Sequence, residues 1–341
     1  MNKKGGIYTI LIWSLCCLLV FSCKESKKET NKSDQVGDPA LIEINNLIEQ
    51  DTTDHELLYQ RANLYYENGY YDGAISDLNK AIELDSMRAE YYHLLSDSYM
   101  DYFRSREALI TMERCVELMP ERIPSMLKLS ETQLILKLYD ASLQTCSNIL
   151  NLNPQEAEAY FMMGMNLKST GDLARAKNAF RKATEFNPEL TDAWILLGQM
   201  FEDENNPKAL EYYDAAINVD RDNPATWHSK AFYLQNNDRI DEALDIYKQI
   251  NLIDKDYLDA YLNAGILYMS IDSIEKAYEQ FNLMTKVKPQ LYISYYYRGL
   301  ANEQLGRLDL AREDYNTCLR LNTNYDRAKK ALDNLEQAEN Q

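Results

Sequence analysis

The sequence predicts an all-α array of stacked helix pairs. Three observations carry that prediction. A small residue returns at a fixed interval: Ala74, Ala108, Ser142, Ala176, Ala209, Ala243, Ala277 and Ala311 stand 34 residues apart, with one step a residue short. A second small residue precedes each of these by twelve, at Ala62, Ser96, Ser130, Gly164, Ala231, Gly265 and Gly299, and by eleven at Gly198 in the short unit. Prolines 120, 154, 188 and 289 fall at one phase of the same beat, where each ends a helix that it cannot continue. Self-similarity at such a period marks repeated supersecondary units that bury their faces on one another.

The chain opens on a different composition. Lys3 and Lys4 precede Ile7 to Phe21, a run of 15 largely apolar residues that gives way to the polar stretch Lys24 to Glu29. A membrane-spanning helix needs about 20 apolar residues, so this run reads as the core of a secretory signal peptide. The ending Val20-Phe21-Ser22-Cys23 resembles the lipobox of bacterial lipoproteins, with Phe21 and Val20 departing from the small residue and the leucine preferred there. That resemblance implies a signal peptide over 1–22, three acyl chains on Cys23 and a permanent membrane attachment, since about two acyl chains suffice for one. Residues 23–38 then form a tether from lipidated Cys23. The fifteen residues Lys24 to Asp38 are polar apart from Val36 and Gly37; a flexible chain of that length reaches roughly 20 Å and at most about 50 Å.

Residues 39–54 read as an N-terminal capping helix. Ala40, Ile44 and Leu47 fit the phase of a second helix that has no first helix before it. Residues 55–325 divide into eight units starting at 55, 89, 123, 157, 191, 224, 258 and 292. Within each unit, position 4 is large: Leu58, Tyr92, Met126, Tyr160, Trp194, Trp227, Tyr261 and Tyr295. It shares one helical stripe with positions 7, 8 and 11, the buried stripe of the first helix. Position 24 of the second helix is bulky or soft: Leu78, Met112, Cys146, Phe180, Tyr213, Tyr247, Phe281 and Tyr315. Glycine or polar residues near position 15, as in Asn68-Gly69 and Thr170-Gly171-Asp172, turn the chain between the two helices. Residues 326–341 make a C-terminal capping helix with an apolar stripe of Ala328, Ala331, Leu332 and Leu335.

These residues resemble the tetratricopeptide repeats, whose pattern sets an aromatic at 4, small residues at 8, 20 and 27, an aromatic at 24 and proline at 32. The unit Ala157 to Leu190 matches at nearly every place, while the third and fifth units depart most. The resemblance implies a right-handed superhelical solenoid of eight tetratricopeptide helix-turn-helix repeats with flanking capping helices.

Function is read from what this frame offers. The balance of 36 Lys plus Arg against 54 Asp plus Glu disfavours binding to a phosphate backbone, so nucleic acid is set aside. His55, His93 and His228 lie in separate units, and no HExxH, phosphate loop or nucleophile elbow accompanies them. Short turns leave no irregular segment to carry catalysis, so no enzyme, cofactor or metal is expected. Cys115, Cys146 and Cys318 sit at interior positions and read as small buried hydrophobes, with a Cys115–Cys146 bridge conceivable in an oxidising compartment.

A binding surface remains. Positions 5, 9 and 12 lie about 100° around from the buried stripe, on the side that lines the concave groove in similar repeat proteins. Apolar residues recur there at Tyr59, Phe161, Met165, Ile195, Phe232, Leu262, Ile266, Met269, Tyr296 and Leu300. Some of them must pack on the next first helix, but an apolar stripe of this extent marks an interaction site. The lysines that clamp a C-terminal carboxylate in some relatives are missing at positions 2 and 5; Glu56, Glu90, Glu158, Asp192 and Asp259 stand at position 2. Acids there suit helix N-termini, and any that face the groove would select an apolar segment with flanking basic residues.

The expectation is a lipid-anchored scaffold or adaptor of a Gram-negative envelope that binds protein or peptide segments. Lys24 after the lipidated cysteine fits outer-membrane sorting; the sequence does not choose between the periplasmic face and the cell surface. A carbohydrate- or nutrient-capturing lipoprotein and a structural homodimer are the two rivals.

Overall fold

The computed structural model describes residues 38–339, which form eighteen α-helices and no strand. They divide into two compact units at Thr145 and Cys146. The first holds α1 (Pro39–Gln50), α2 (His55–Glu67), α3 (Tyr71–Leu84), α4 (Ala89–Asp101), α5 (Ser105–Leu118), α6 (Ile123–Ile135) and the start of α7 (Tyr139–Leu152). The second continues with α8 (Ala157–Ser169), α9 (Leu173–Phe186), α10 (Thr191–Asp203), α11 (Ala209–Val219), α12 (Pro224–Asn236) and α13 (Ile240–Ile253). It ends on α14 (Leu258–Ser270), α15 (Ile274–Val287), α16 (Tyr292–Gln304), α17 (Leu308–Leu321) and α18 (Asp326–Glu339). Within each unit, consecutive helices pack as antiparallel pairs and each pair stacks on the next, the solenoid arrangement. The expected signal peptide, Cys23 and the rest of the expected tether up to Gly37 lie outside the described residues.

Helix starts follow local chemistry. Asp38 accepts from Ala40 N ahead of Pro39, and Asp54 accepts from Glu56 N and Leu57 N, satisfying amides that have no partner in the first turn. Asn223 does the same for α12, with Pro224 fixed in a helical φ beside it.

The turn inside each pair has one recurring element. A residue with positive φ stands at Gly69, Phe103, Lys137, Gly171, Asn205, Asp238, Asp272 and Gly306. It keeps the 34-residue interval, including the single short step between Asn205 and Asp238. This left-handed residue closes the first helix, and only three of its eight occupants are glycine. The residue missing from the fifth unit falls between Asn205 and Ala209, so the loss is absorbed by the start of α11. That helix runs 11 residues where α9 and α13 run 14.

Packing inside a pair depends on the two small positions. Ala62, Ala74, Ala108, Ala176, Ala231, Ala243, Ala277 and Ala311 have no exposed surface. Where both are serine, Ser142 Oγ donates to Ser130 O at 2.8 Å; where only the first is, Ser96 Oγ donates to Ala108 O at 3.3 Å. Position 8 also makes room for the ring at position 24: a methyl added to Gly164 would stand 2.6 Å from Phe180 Cε1, and one on Gly299 2.6 Å from Tyr315 Cε1.

At the ends, α1 packs on α2 and α18 on α17. Asn45 Oδ1 accepts from Arg61 Nη1 at 2.7 Å while Asp77 holds the same guanidinium through both oxygens. Asn282, Arg298 and Asp314 repeat that arrangement between α15, α16 and α17. Thus α1 takes the place of a second helix. The residues that cover α2 are Leu41, Ile44 and Ile48, whereas Ala40 and Leu47 are exposed. The expected stripe was right at Ile44 alone, because Ala40 and Leu47 occupy the face that a paired first helix would cover. On α18, Ala328 and Leu335 are buried and Ala331 and Leu332 are half-buried against Ala311 and Tyr315.

Candidate partner-binding surface

The ten apolar residues singled out for the groove lie on first helices: Tyr59 on α2, Phe161 and Met165 on α8, Ile195 on α10 and Phe232 on α12. Leu262, Ile266 and Met269 are on α14, and Tyr296 and Leu300 on α16. Tyr59 belongs to the first unit and the other nine to the second. All ten are half-buried, none sealed and none fully exposed. Tyr59, Leu262, Ile266, Met269, Tyr296 and Leu300 pack by one side against the buried core.

Position 5 explains much of that partial burial, since its side chains form the seam between successive pairs. The Tyr59 ring lies 5.0 Å from that of Tyr91, and Tyr296 lies 5.1 Å from Tyr325. His93 Nε2 hydrogen-bonds Ser125 Oγ at 2.9 Å, and His228 Nε2 hydrogen-bonds the Asn263 side chain at 3.0 Å. Burial lowers the pKa of both histidines below the ordinary 6.5, aided at His93 by Lys128 and Arg122. His55 meets the Tyr91 hydroxyl at 2.7 Å. The three histidines thus serve contacts between helices, and among the described residues no cluster of His, Cys, Asp and Glu could hold a metal ion.

Position 12 carries a contact that the sequence reading missed. Tyr213 donates its hydroxyl to Glu202 at 2.6 Å, Tyr315 to Glu303 at 2.6 Å and Tyr247 to Gln235 at 3.0 Å. In each pair the tyrosine at position 24 lies across the small residue at position 8 and reaches an acceptor one turn further along the first helix. Burial raises the Tyr213 and Tyr315 pKa values, and the facing carboxylates raise them further. Where position 24 is phenylalanine, at Phe180 and Phe281, position 12 is Lys168 or Met269, which offers no such acceptor. The signal was present as a match between positions 24 and 12 from one unit to the next.

The acids at position 2 divide. Arg88 bridges Glu56 and Glu90, whereas Glu158, Asp192 and Asp259 are exposed near helix N-termini in the second unit. Cys115, Cys146 and Cys318 are buried, and burial raises the Cys115 thiol and pushes that of Cys318 up to about 11, far from a reactive thiolate.

Tetratricopeptide-repeat profiles match residues 46–101, 157–190 and 292–325. The chain is 24% identical over 227 residues to the human "Mitochondrial import receptor subunit TOM70", covering 66% of this chain and 33% of that protein. It is 22% identical to the wheat (Triticum aestivum) "Hsp70-Hsp90 organizing protein", covering 73% of this chain and 38% of that one. The chain therefore spans between 33% and 38% of the length of these relatives. Among solved structures, the Cut9-Hcn1 complex aligns at a TM-score of 0.47 and 16% identity over 83% of this chain and 56% of that one. YrrB, titled a tetratricopeptide protein "with an unusual peptide-binding site", aligns at 0.40 and 28% identity over 55% of this chain and 97% of that one.

Proposed function

We propose, from a chain built of tetratricopeptide repeats, that this protein is a lipid-anchored interaction scaffold or adaptor of a Gram-negative envelope. It holds segments of partner proteins along the first helices of the second unit. The observation that carries the reading is the row of half-buried apolar side chains on α8, α10, α12, α14 and α16. Half-burial matters here. Each side chain is held in place by its inner side, so little rotamer freedom is lost on binding, while its outer side still has apolar surface to cover.

Glu158, Asp192 and Asp259 add negative charge at the N-terminal ends of three of these helices. An apolar segment flanked by basic residues complements that combination. The names of the two relatives describe proteins that organise chaperones or receive imported chains, and both fit a scaffold role for these repeats.

Anchoring rests on the sequence Val20 to Cys23 and on the apolar run before it. Its test is acyl labelling in envelopes: Cys23→Ser abolishes the label and releases the protein, and a persisting label refutes the anchor. Partner binding is tested by a photo-crosslinking residue at Phe232, which captures discrete partners in intact envelopes where the same residue at exposed Met87 does not. Identical products from both positions refute the groove.

A further inference from the structure

We infer that the edge of the first unit formed by the turns inside its helix pairs lies flat against a lipid surface, a reading that rests on the proposed anchor at Cys23. Phe103 stands at the tip of the α4–α5 turn, 90% exposed and at φ 61°. A bulky side chain in the left-handed region is an outlier, because its Cβ crowds the backbone; glycine occupies the same place at Gly69, Gly171 and Gly306. The left-handed backbone closes α4 as it closes the first helix of every pair, but a bare apolar ring adds nothing to that cap, which glycine forms elsewhere without the crowding.

Phe103 is not alone on that edge. Tyr102 beside it is exposed, and the next turn along, between α6 and α7, presents Ile135 at 56% exposure together with Leu138. Arg104, Arg106 and Lys137 flank these residues and are themselves exposed. Aromatic and aliphatic side chains ringed by long cationic ones are the composition of a membrane-interface contact, where the rings enter the headgroup layer and the cations stay in water. Glu67, Asp72, Asp101, Glu107 and Asp140 are also near these turns, and Glu107 pairs with Arg104 at 2.8 Å. The Tyr102 hydroxyl donates to Asp72 and that of Tyr66 to Asp101. This balance gives no preference for anionic lipid, so a zwitterionic surface is the occupant.

The course of the chain points to the same edge. Because α1 packs antiparallel on α2, its start at Pro39 lies beside the end of α2 at Glu67, which is the edge of the intrapair turns. Ile42, in the first turn of α1, is exposed there too. Lys24 to Asp38 amount to fifteen residues, which span at most about 50 Å. A chain fixed in a membrane at Cys23 thus enters the fold on the side that carries Phe103. The opposite edge of the first unit, at Asp51 to Asp54, Asp85 to Arg88 and Met119 to Arg122, is predominantly charged or polar, with Met87 and, at the end of α3, Leu84 as exposed apolar residues.

The test places a tryptophan on each edge of the full chain, Phe103→Trp or Met87→Trp, and mixes the purified protein with zwitterionic vesicles carrying brominated acyl chains. Acyl labelling and vesicle flotation read the anchor; quenching of the added tryptophan emission read against the parent chain reads the face, and circular dichroism checks the fold. The expected result is a labelled, floating protein in which Trp emission from position 103 falls by roughly half or more while that from position 87 is little changed, as burial of one edge at the interface requires. Floating protein with both positions equally unquenched overturns the proposed face, leaves the anchor intact and assigns the ridge to a protein partner. Unlabelled protein whose position 103 is still quenched supports the face and refutes the anchor, and absence of both signals overturns both.

Discussion

The ring at position 24 and the small residue at position 8 act as one device. The ring of Phe180, Tyr213, Phe281 or Tyr315 fills the space that a Cβ would occupy at Gly164, Gly198, Gly265 or Gly299. Gly164→Ala gains up to about 1 kcal/mol of helix propensity but overpacks against Phe180 by about 1–3 kcal/mol, for a net loss near 1 kcal/mol. Chemical denaturation measures that loss, and adding Phe180→Leu recovers part of it; an unchanged midpoint in the single variant contradicts the contact. The opposite sign is expected at Phe103→Gly. Relief of about 1–2 kcal/mol of left-handed strain outweighs the added freedom of the unfolded chain, leaving a gain of about 0.5–1 kcal/mol seen as a higher denaturation midpoint. The small residues at 8 and 20 were legible because packing tolerates nothing larger. The left-handed series was legible where glycine or a short polar residue marks it, as at Asn205, Asp238 and Asp272, and not at Phe103, whose side chain gives no such signal.

Helices here are defined by which neighbours they have. Those with a partner on either side bury two faces, while α1 buries only Leu41, Ile44 and Ile48 because, among the described residues, α2 is the helix it packs against. A periodic pattern read from complete pairs therefore misplaces the stripe at an end. The seam between first helices has a titratable element in each unit: His93 of α4 meets α6 through Ser125, and His228 of α12 meets α14 through Asn263. Burial holds both imidazoles below their ordinary 6.5, so the unfolded chain binds protons more readily than the folded one. Their contribution is intact above that value and is lost as the pH falls through the folded-state pKa values. The melting temperature should drop between about pH 7.5 and pH 5.5, and His228→Gln, which keeps an amide toward Asn263, should shrink that drop. An equal drop in the variant would remove His228 from the account.

At the scale of the whole molecule, the all-α class and the succession of helix pairs could be read from the 34-residue beat, because each pair repeats the same contacts with its neighbours. The binding surface was only half legible. Periodicity puts Phe161, Ile195, Phe232 and Leu262 on one side of the first helices, but it cannot say how much of each side chain the next pair covers. Half-burial answers that, and it makes amides better probes than charges: glutamine at a half-buried place removes apolar contact without forcing an ion against the core. The most direct measurement is affinity capture from detergent-solubilised envelopes with the wild-type chain and with Ile195→Gln/Phe232→Gln, helicity being checked by circular dichroism. The account predicts unchanged helicity and roughly tenfold less of each captured partner, the loss of about 1.4 kcal/mol expected when apolar anchors leave an interface. Full capture by the well-folded double variant would contradict the claim that these side chains hold the partner.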